Sequence, residues 1–248
     1  MKVKDIEIRL EELDRMESQI LFSVSILSGD DHVRLARIKE ERAELKAKLE
    51  KMNEKKEYGW KLKEIILVAM ICIVFGVVYL GGVYLASFLS TLLTPVGLAP
   101  LANEIVFGIW FMAAILAAYI LQKPGVCIVA EVLAALIEVL LGNMYGPMVI
   151  VAGIVQGAGG EIVFALGRYR KFNTKMLYLA AAGCCVTSFL WSFVRSGYGQ
   201  LAVPLLIIMF LIRLVSTLIF SGLITKAIGD GLAKTGLLKG YALGRAHG

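Results

Sequence analysis

The chain has 248 residues, 58% of them hydrophobic, with a mean hydropathy of +0.75 and a formal net charge of +6. Hydropathy of that size, reached without low-complexity repeats, excludes a soluble globular domain and indicates an integral membrane protein. The charges are unevenly placed: residues 1–64 hold 15 Lys+Arg and 15 Asp+Glu, and the other 184 hold 11 and 5, so a polar, neutral module precedes a basic, hydrophobic one.

In the first module, Ile6, Leu10, Leu13, Ile20, Val24 and Leu27 recur three and four apart with charge between them, which predicts an amphipathic helix of heptad character. Ser28-Gly29-Asp30-Asp31 ends that helix and caps the next, where Leu35, Ile38, Leu45, Leu49 and Met52 repeat the pattern and Arg42 takes a seam position. A short link favours an antiparallel helical hairpin over residues 1–58, although self-association into a bundle would use the same seams. The start is too charged for a cleaved signal peptide, so the first apolar run is expected to act as an uncleaved anchor.

Residues 59–248 are expected to form a six-helix membrane domain, since a bilayer core needs roughly 20 apolar residues per helix. The first span is Glu64 to about Leu85, and Leu92–Leu101, with Pro95 and Pro100, reads as a loop or re-entrant segment. Asn103–Leu121, Val126–Leu141, Met148–Gly167, Met176–Val194 and Leu201–Thr225 follow, separated by clusters of turn formers such as Gly142-Asn143-Met144-Tyr145-Gly146-Pro147. Lys61, Lys63, Lys123, Arg168, Arg170, Lys171, Lys175, Lys226, Lys234, Lys239 and Arg245 fall on one side of these spans, and only Arg195 falls on the other. Retention of positive charge in the cytoplasm then makes both termini and the hairpin cytoplasmic.

Ionisable groups inside apolar spans are costly, and usually line a cavity, pair with a cation or hold a ligand. At about 1.5 Å of rise per residue, Glu131 lies about 7 Å and Glu161 about 9 Å from the inner ends of their spans, and Arg213 about 18 Å from its outer end. The three could share one layer and read as a buried ionic cluster that fixes helix packing. Glu138, one turn from the outer end of the third span, and Glu104, which opens the second from outside, face the exterior. Together with Trp110, Asn143, Tyr145, Gln156 and Trp191 they suit a cationic, aromatic small molecule, with carboxylates for its charge and rings for its ring; interfacial Trp and Tyr also form the ordinary aromatic belt.

Gly153, Gly157 and Gly159-Gly160 read as close helix packing, whereas Ala69, Gly76 and Gly82–Ala86 could offer another membrane protein a surface. Cys72, Cys127, Cys184 and Cys185 match no zinc or redox spacing and read as small packing residues. The chain carries no phosphate-binding G-x-x-x-x-G-K-[S/T] loop, no H-E-x-x-H and no G-x-S-x-G, and His32 and His247 lie outside the spans. An enzyme is therefore disfavoured, and nothing points to a cofactor, a metal or a nucleic-acid partner.

The stretches Asn103-Glu104-Ile105-Val106-Phe107-Gly108-Ile109-Trp110-Phe111, Lys123-Pro124-Gly125, Ala130-Glu131 through Leu141-Gly142, Gln156-Gly157, and Glu161-Ile162-Val163-Phe164-Ala165-Leu166-Gly167-Arg168-Tyr169-Arg170 resemble the YkoE group. These are substrate-binding S components of energy-coupling factor transporters, associated with thiamine and its hydroxymethylpyrimidine precursor. The tail Ser221–Arg245, with Leu232-Ala233-Lys234-Thr235-Gly236, is similar too, and the resemblance spans about residues 59–246. It implies a six-helix plasma-membrane protein that binds a vitamin from outside and works with a transmembrane coupling subunit and ATPase subunits. Glu138 or Glu104 would meet the ligand's charge or ring amine, and Trp110 or Tyr145 would stack on it. The hairpin lies outside the family pattern. A different vitamin, or a membrane scaffold recruiting partners through the hairpin, are the readings that remain beside it.

Overall fold

A computed structural model describes residues 3–23, 28–57 and 59–247, and divides the chain into units of residues 1–60 and 61–248. In the first unit, α1 (Val3–Ser23) and α2 (Gly29–Glu57) pack against each other. Ser28 starts α2 by a reciprocal exchange: its Oγ accepts from the Asp31 N–H at 3.3 Å, and Asp31 Oδ2 accepts from the Ser28 N–H at 3.0 Å. The Ser28 hydroxyl and N–H hold the Asp31 carboxyl below its ordinary range. Ile6, Leu13, Leu35 and Ile38 are buried, and Arg9 pairs with Glu41 at 2.9 Å. Arg42, placed on the seam by its spacing, pairs with Asp14 at 2.5 Å and with Glu17. Val24 and Leu27, assigned to the first seam, lie outside the described residues, as does the side chain of Met52.

The described residues of the second unit are helical, with no strand. α3 (Leu62–Leu93) continues past the expected Leu85 and ends in a 3-10 turn at Thr94–Val96, with Gly97 at φ 73°. Its N-terminus is tied down by Glu64, which accepts from the Lys61 N–H and from Lys123 Nζ, both at 2.7 Å. The next segment is α4 (Leu101–Val106), a 3-10 stretch over Phe107–Phe111, and α5 (Met112–Leu121). α6 (Val126–Leu140), α7 (Met148–Leu166) and α8 (Thr174–Arg195) follow. The last long segment is α9 (Val203–Thr217), a π-helical turn over Leu218–Ile224, and α10 (Thr225–Lys234), before the short α11 (Ala242–His247). Five of these segments, Leu62–Val96, Leu101–Leu121, Met148–Leu166, Thr174–Arg195 and Val203–Lys234, are long and apolar enough to cross a membrane. α6, at 15 residues, is about 22 Å long, short of the roughly 30 Å of a bilayer core.

α5 is the centre of this unit, with every residue from Met112 to Leu121 buried, which is why the sequence there is apolar all round. The interruption just before it leaves backbone groups without helical partners, and neighbouring side chains satisfy them, as an apolar interior requires. The Gly108 N–H donates to Ser216 Oγ at 3.0 Å, and Ser221 Oγ donates to the Gly108 carbonyl at 2.5 Å. Ala113 N–H donates to the Tyr79 hydroxyl at 3.1 Å and Ala114 N–H to Glu131 Oε2 at 3.3 Å. Gly108 is required there: a Cβ would lie 2.4 Å from the Ser216 carbonyl oxygen and 2.7 Å from Thr217 Cα.

Glycines also set the spacing of α7. A Cβ on Gly157 would meet Ile128 Cα of α6 at 2.7 Å, and one on Gly159 would meet the Gly183 oxygen of α8 at 2.4 Å. The stretch of α3 expected to present a surface outward mostly faces inward: Gly76, Gly82, Val83 and Ala86 are buried, with Gly76 pressed on Ile137 of α6. The outward face of α3 is instead Ile65, Ile66, Met70, Ile73, Val74, Val77 and Phe88. All four cysteines are buried and free, in keeping with packing roles.

Candidate ligand-binding cavity

α6 ends in a motif that aims its last carboxylate. Gly142, at φ 93°, closes α6: its N–H reaches the Val139 carbonyl at 3.0 Å, and the Asn143 N–H reaches the Glu138 carbonyl at 3.3 Å. A left-handed glycine followed by this pair of bonds turns the chain back over the helix it ends. Asn143 is thereby set beside Glu138, donating from Nδ2 to Oε1 at 2.8 Å, and its own Oδ1 accepts from the Tyr145 N–H. Glu138 is fully buried, and among the described residues its Oε2 has no hydrogen-bond partner. The Trp110 indole lies beside the same carboxylate.

Glu138 lines a cavity of about 200 Å³ built from five helical segments. Tyr79 comes from α3; Asn103, Phe107 and Trp110 from α4 and the 3-10 stretch; Glu131 and Ala135 from α6. Tyr145 enters from the loop after α6, Met148 to Gln156 from α7, and Trp191 to Tyr198 from α8 and the loop beyond. Trp191 Nε1 is a second buried polar atom with no partner among the described residues. One wall of the cavity thus offers an unused acceptor, and another an unused donor, between aromatic rings.

Trp110, Glu138, Tyr145, Gln156 and Trp191, expected at the site, all line this cavity, and Asn143 stands behind Glu138 as its hydrogen-bond partner. Glu104 does not line it. Its carboxylate is fully buried and taken up by Arg213, with Nε to Oε2 at 2.5 Å and Nη2 to Oε1 at 2.8 Å, and it also accepts from the Tyr198 hydroxyl. Arg213 donates further to Ser188 Oγ at 3.2 Å and Ser192 Oγ at 3.1 Å, and its guanidinium lies 3.7 Å from the centre of the Phe107 ring.

The expected ionic cluster of Glu131, Glu161 and Arg213 is therefore corrected. Arg213 is ten residues into a helical segment that runs on to Lys234, so it sits toward the Val203 end, within reach of Glu104 and not of the other two. Glu131 instead accepts from the Tyr79 hydroxyl at 2.9 Å and from Ala114 N–H, and forms part of the cavity wall. Glu161 is at the opposite end of α6, where it accepts from the Gly125 N–H at 2.5 Å, the Cys127 N–H at 3.1 Å and the Tyr169 hydroxyl at 2.7 Å. A carboxylate across these free N–H groups caps α6 from the neighbouring helix.

Among the other lining residues, Tyr79, Asn103, Phe107, Met148, Ser192, Arg195, Ser196 and Tyr198 were not expected in it. Tyr79 and Phe107 sit in unbroken apolar runs; Arg195 and Ser196 carried a signal, as polar residues ending a span on the side poor in charge.

A protein from Bacillus subtilis (strain 168), named as an HMP/thiamine permease protein, YkoE, is 45% identical over 187 residues, which cover 75% of this chain and 92% of that one. The chain belongs to the YkoE family of energy-coupling factor S components. A solved structure described as an S component of an ECF transporter superposes with a TM-score of 0.72 at 45% identity, covering 76% of this chain and 93% of that one. Residues 63–187 also match the family described as the permease component of an ABC-type cobalt transport system. The chain is thus a multi-pass plasma-membrane transport subunit with the S-component fold, the substrate-binding part of an ECF importer and not an enzyme.

Proposed function

We propose that this S component binds thiamine or its hydroxymethylpyrimidine precursor in the cavity beside Glu138. The carrying observation is the pair of unsatisfied buried atoms on the cavity wall, Glu138 Oε2 and Trp191 Nε1, since buried polar groups without partners are rare unless a ligand completes them. An aminopyrimidine supplies both counterparts: its exocyclic amine donates to Glu138, and a ring nitrogen accepts from Trp191. Trp110 and Tyr145 close on the ring faces. The cobalt named for the matching family is a poorer fit, because the lining holds two carboxylates and no His or Cys, and no group of three metal-binding side chains occurs among the described residues.

In this reading α6 is a sixth, short span, packed against α3, α5 and α7, with both termini and the 1–58 helical pair in the cytoplasm. The cavity sits at the end of the bundle away from the basic loops and so opens outward. A coupling subunit and ATPase subunits drive reorientation of the loaded protein. Calorimetric titration of the detergent-purified protein with hydroxymethylpyrimidine, and separately with thiamine, tests the proposal. Saturable stoichiometric binding that Glu138→Gln abolishes without loss of folded yield supports it; no heat from either compound with folded protein refutes it.

A further inference from the structure

The connection between α7 and α8 carries four cations in eight residues, Arg168, Arg170, Lys171 and Lys175, and no acid occurs between Glu161 and Asp230. The uncharged residues among them are tied down. Tyr169 donates its hydroxyl to Glu161 at 2.7 Å and its N–H to the Phe164 carbonyl at 3.0 Å. Phe172 is buried and stacks on Phe164 with ring centroids 4.8 Å apart, and Asn173 caps α8 by accepting from the Met176 N–H at 3.1 Å. Arg168 and Tyr169 take consecutive left-handed conformations, φ 52° and 53°, which residues other than glycine keep only where their surroundings impose them. The cations stay outside this framework: Arg168, Lys171 and Lys175 are exposed and have no carboxylate partner among the described residues. The acids at this end of the bundle are already engaged, Glu64 by Lys123, Asp230 by Lys226, and Glu161 by the start of α6.

We infer that this connection is a docking site for the headgroup of an anionic phospholipid. Its cations adjoin a surface that meets acyl chains: Ile162 and Leu166 in the last turns of α7 are exposed, as is Leu179, one turn beyond Lys175 in α8. Lys175 stands about 6 Å from Leu179 along the helix axis. The polar layer of a bilayer is about 5–8 Å deep on each side, so the cations lie at the level of the lipid phosphates. That depth favours a lipid over the acidic surface of a protein partner, which would have to enter the headgroup layer to reach them. Clusters of Lys and Arg beside a span recognise anionic headgroups in this way. The phosphate meets Arg168, Lys171 and Lys175 while the acyl chains lie along the neighbouring apolar side chains. The site requires only that α7 and α8 cross the membrane, so it stands apart from the identity of the cavity's ligand.

The full-length protein, purified in detergent, is mixed with equal amounts of phosphatidylglycerol and phosphatidylcholine of the same acyl length, and the lipid it retains is identified by native mass spectrometry. The parent retains phosphatidylglycerol in preference by about tenfold or more, since each Lys or Arg near a headgroup contributes about fivefold. The variant Arg168→Gln/Lys171→Gln/Lys175→Gln loses that preference, and Lys171→Gln/Lys175→Gln, which leaves the left-handed turn unaltered, loses part of it. Lys234→Gln/Lys239→Gln/Arg245→Gln removes three exposed cations from the C-terminal segment and keeps the preference. Absence of a preference in the parent, a preference that survives both loop variants, or equal losses from the loop and C-terminal variants each overturn the site. The second of these results, with impaired vitamin uptake by cells carrying the loop variant, assigns the cations to an acidic protein surface instead. A thermal unfolding trace on every variant verifies that the fold is kept.

Discussion

The pair of Glu104 and Arg213 is the strongest single test of how this membrane domain is held together. Both side chains are fully buried, joined by two charge-assisted bonds at 2.5 and 2.8 Å. Unit charges about 4 Å apart attract by about 4 kcal/mol at an effective dielectric constant near 20. Removing one partner also leaves the other uncompensated in an apolar interior, which costs about 3–5 kcal/mol. Glu104→Leu or Arg213→Met alone is expected to lower the unfolding temperature by about 6–20 °C, at about 2–4 °C per kcal/mol for a chain of this size. The double substitution removes both charges at once and costs clearly less than the sum, a coupling of at least about 2 kcal/mol. The four cysteines are free and buried, so a thiol-reactive fluorophore reports unfolding directly in detergent. Single substitutions costing under about 1 kcal/mol, or additive losses in the double variant, would refute this reasoning.

Three further outcomes follow from the geometry. Gly108→Ala drives a methyl group into the α9 backbone at 2.4 Å and is expected to cut folded yield severely, whereas alanine at Gly81, which has open space around it, leaves yield unchanged; size-exclusion profiles of the two distinguish them. Glu161→Ala removes three bonds at the start of α6 and is expected to cost about 1–2 kcal/mol in thermal stability, with ligand affinity little changed because Glu161 does not line the cavity. Asn143→Ala removes the amide that positions Glu138 and is expected to weaken ligand binding about tenfold, while unfolding in the absence of ligand shifts by about 1 kcal/mol.

The helices were legible because apolar runs and turn formers mark their ends: Val126, Met148 and Leu121 are boundaries in both sequence and structure. The interruptions at Phe107–Phe111 and Leu218–Ile224 were not, since both lie within continuous apolar sequence and depend on bonds to residues about a hundred positions away, such as Gly108 to Ser216. The same limit explains the site. Depth along a helix brought out Glu138, Trp110, Tyr145 and Trp191, because each stands near the same end of its span. Depth alone could not pair Arg213 with Glu104, 109 residues apart, nor show Glu161 as a cap for α6, because those partnerships follow from which helix faces meet.

Intrinsic fluorescence tests the central claim most directly, because two of the three tryptophans, Trp110 and Trp191, line the cavity and the third, Trp60, does not. In a Trp60→Phe protein, titration with hydroxymethylpyrimidine is predicted to change the emission saturably, to an endpoint near one ligand per chain. A flat titration in that protein, with folding verified by its thermal transition, would contradict the assignment of this cavity as the vitamin site.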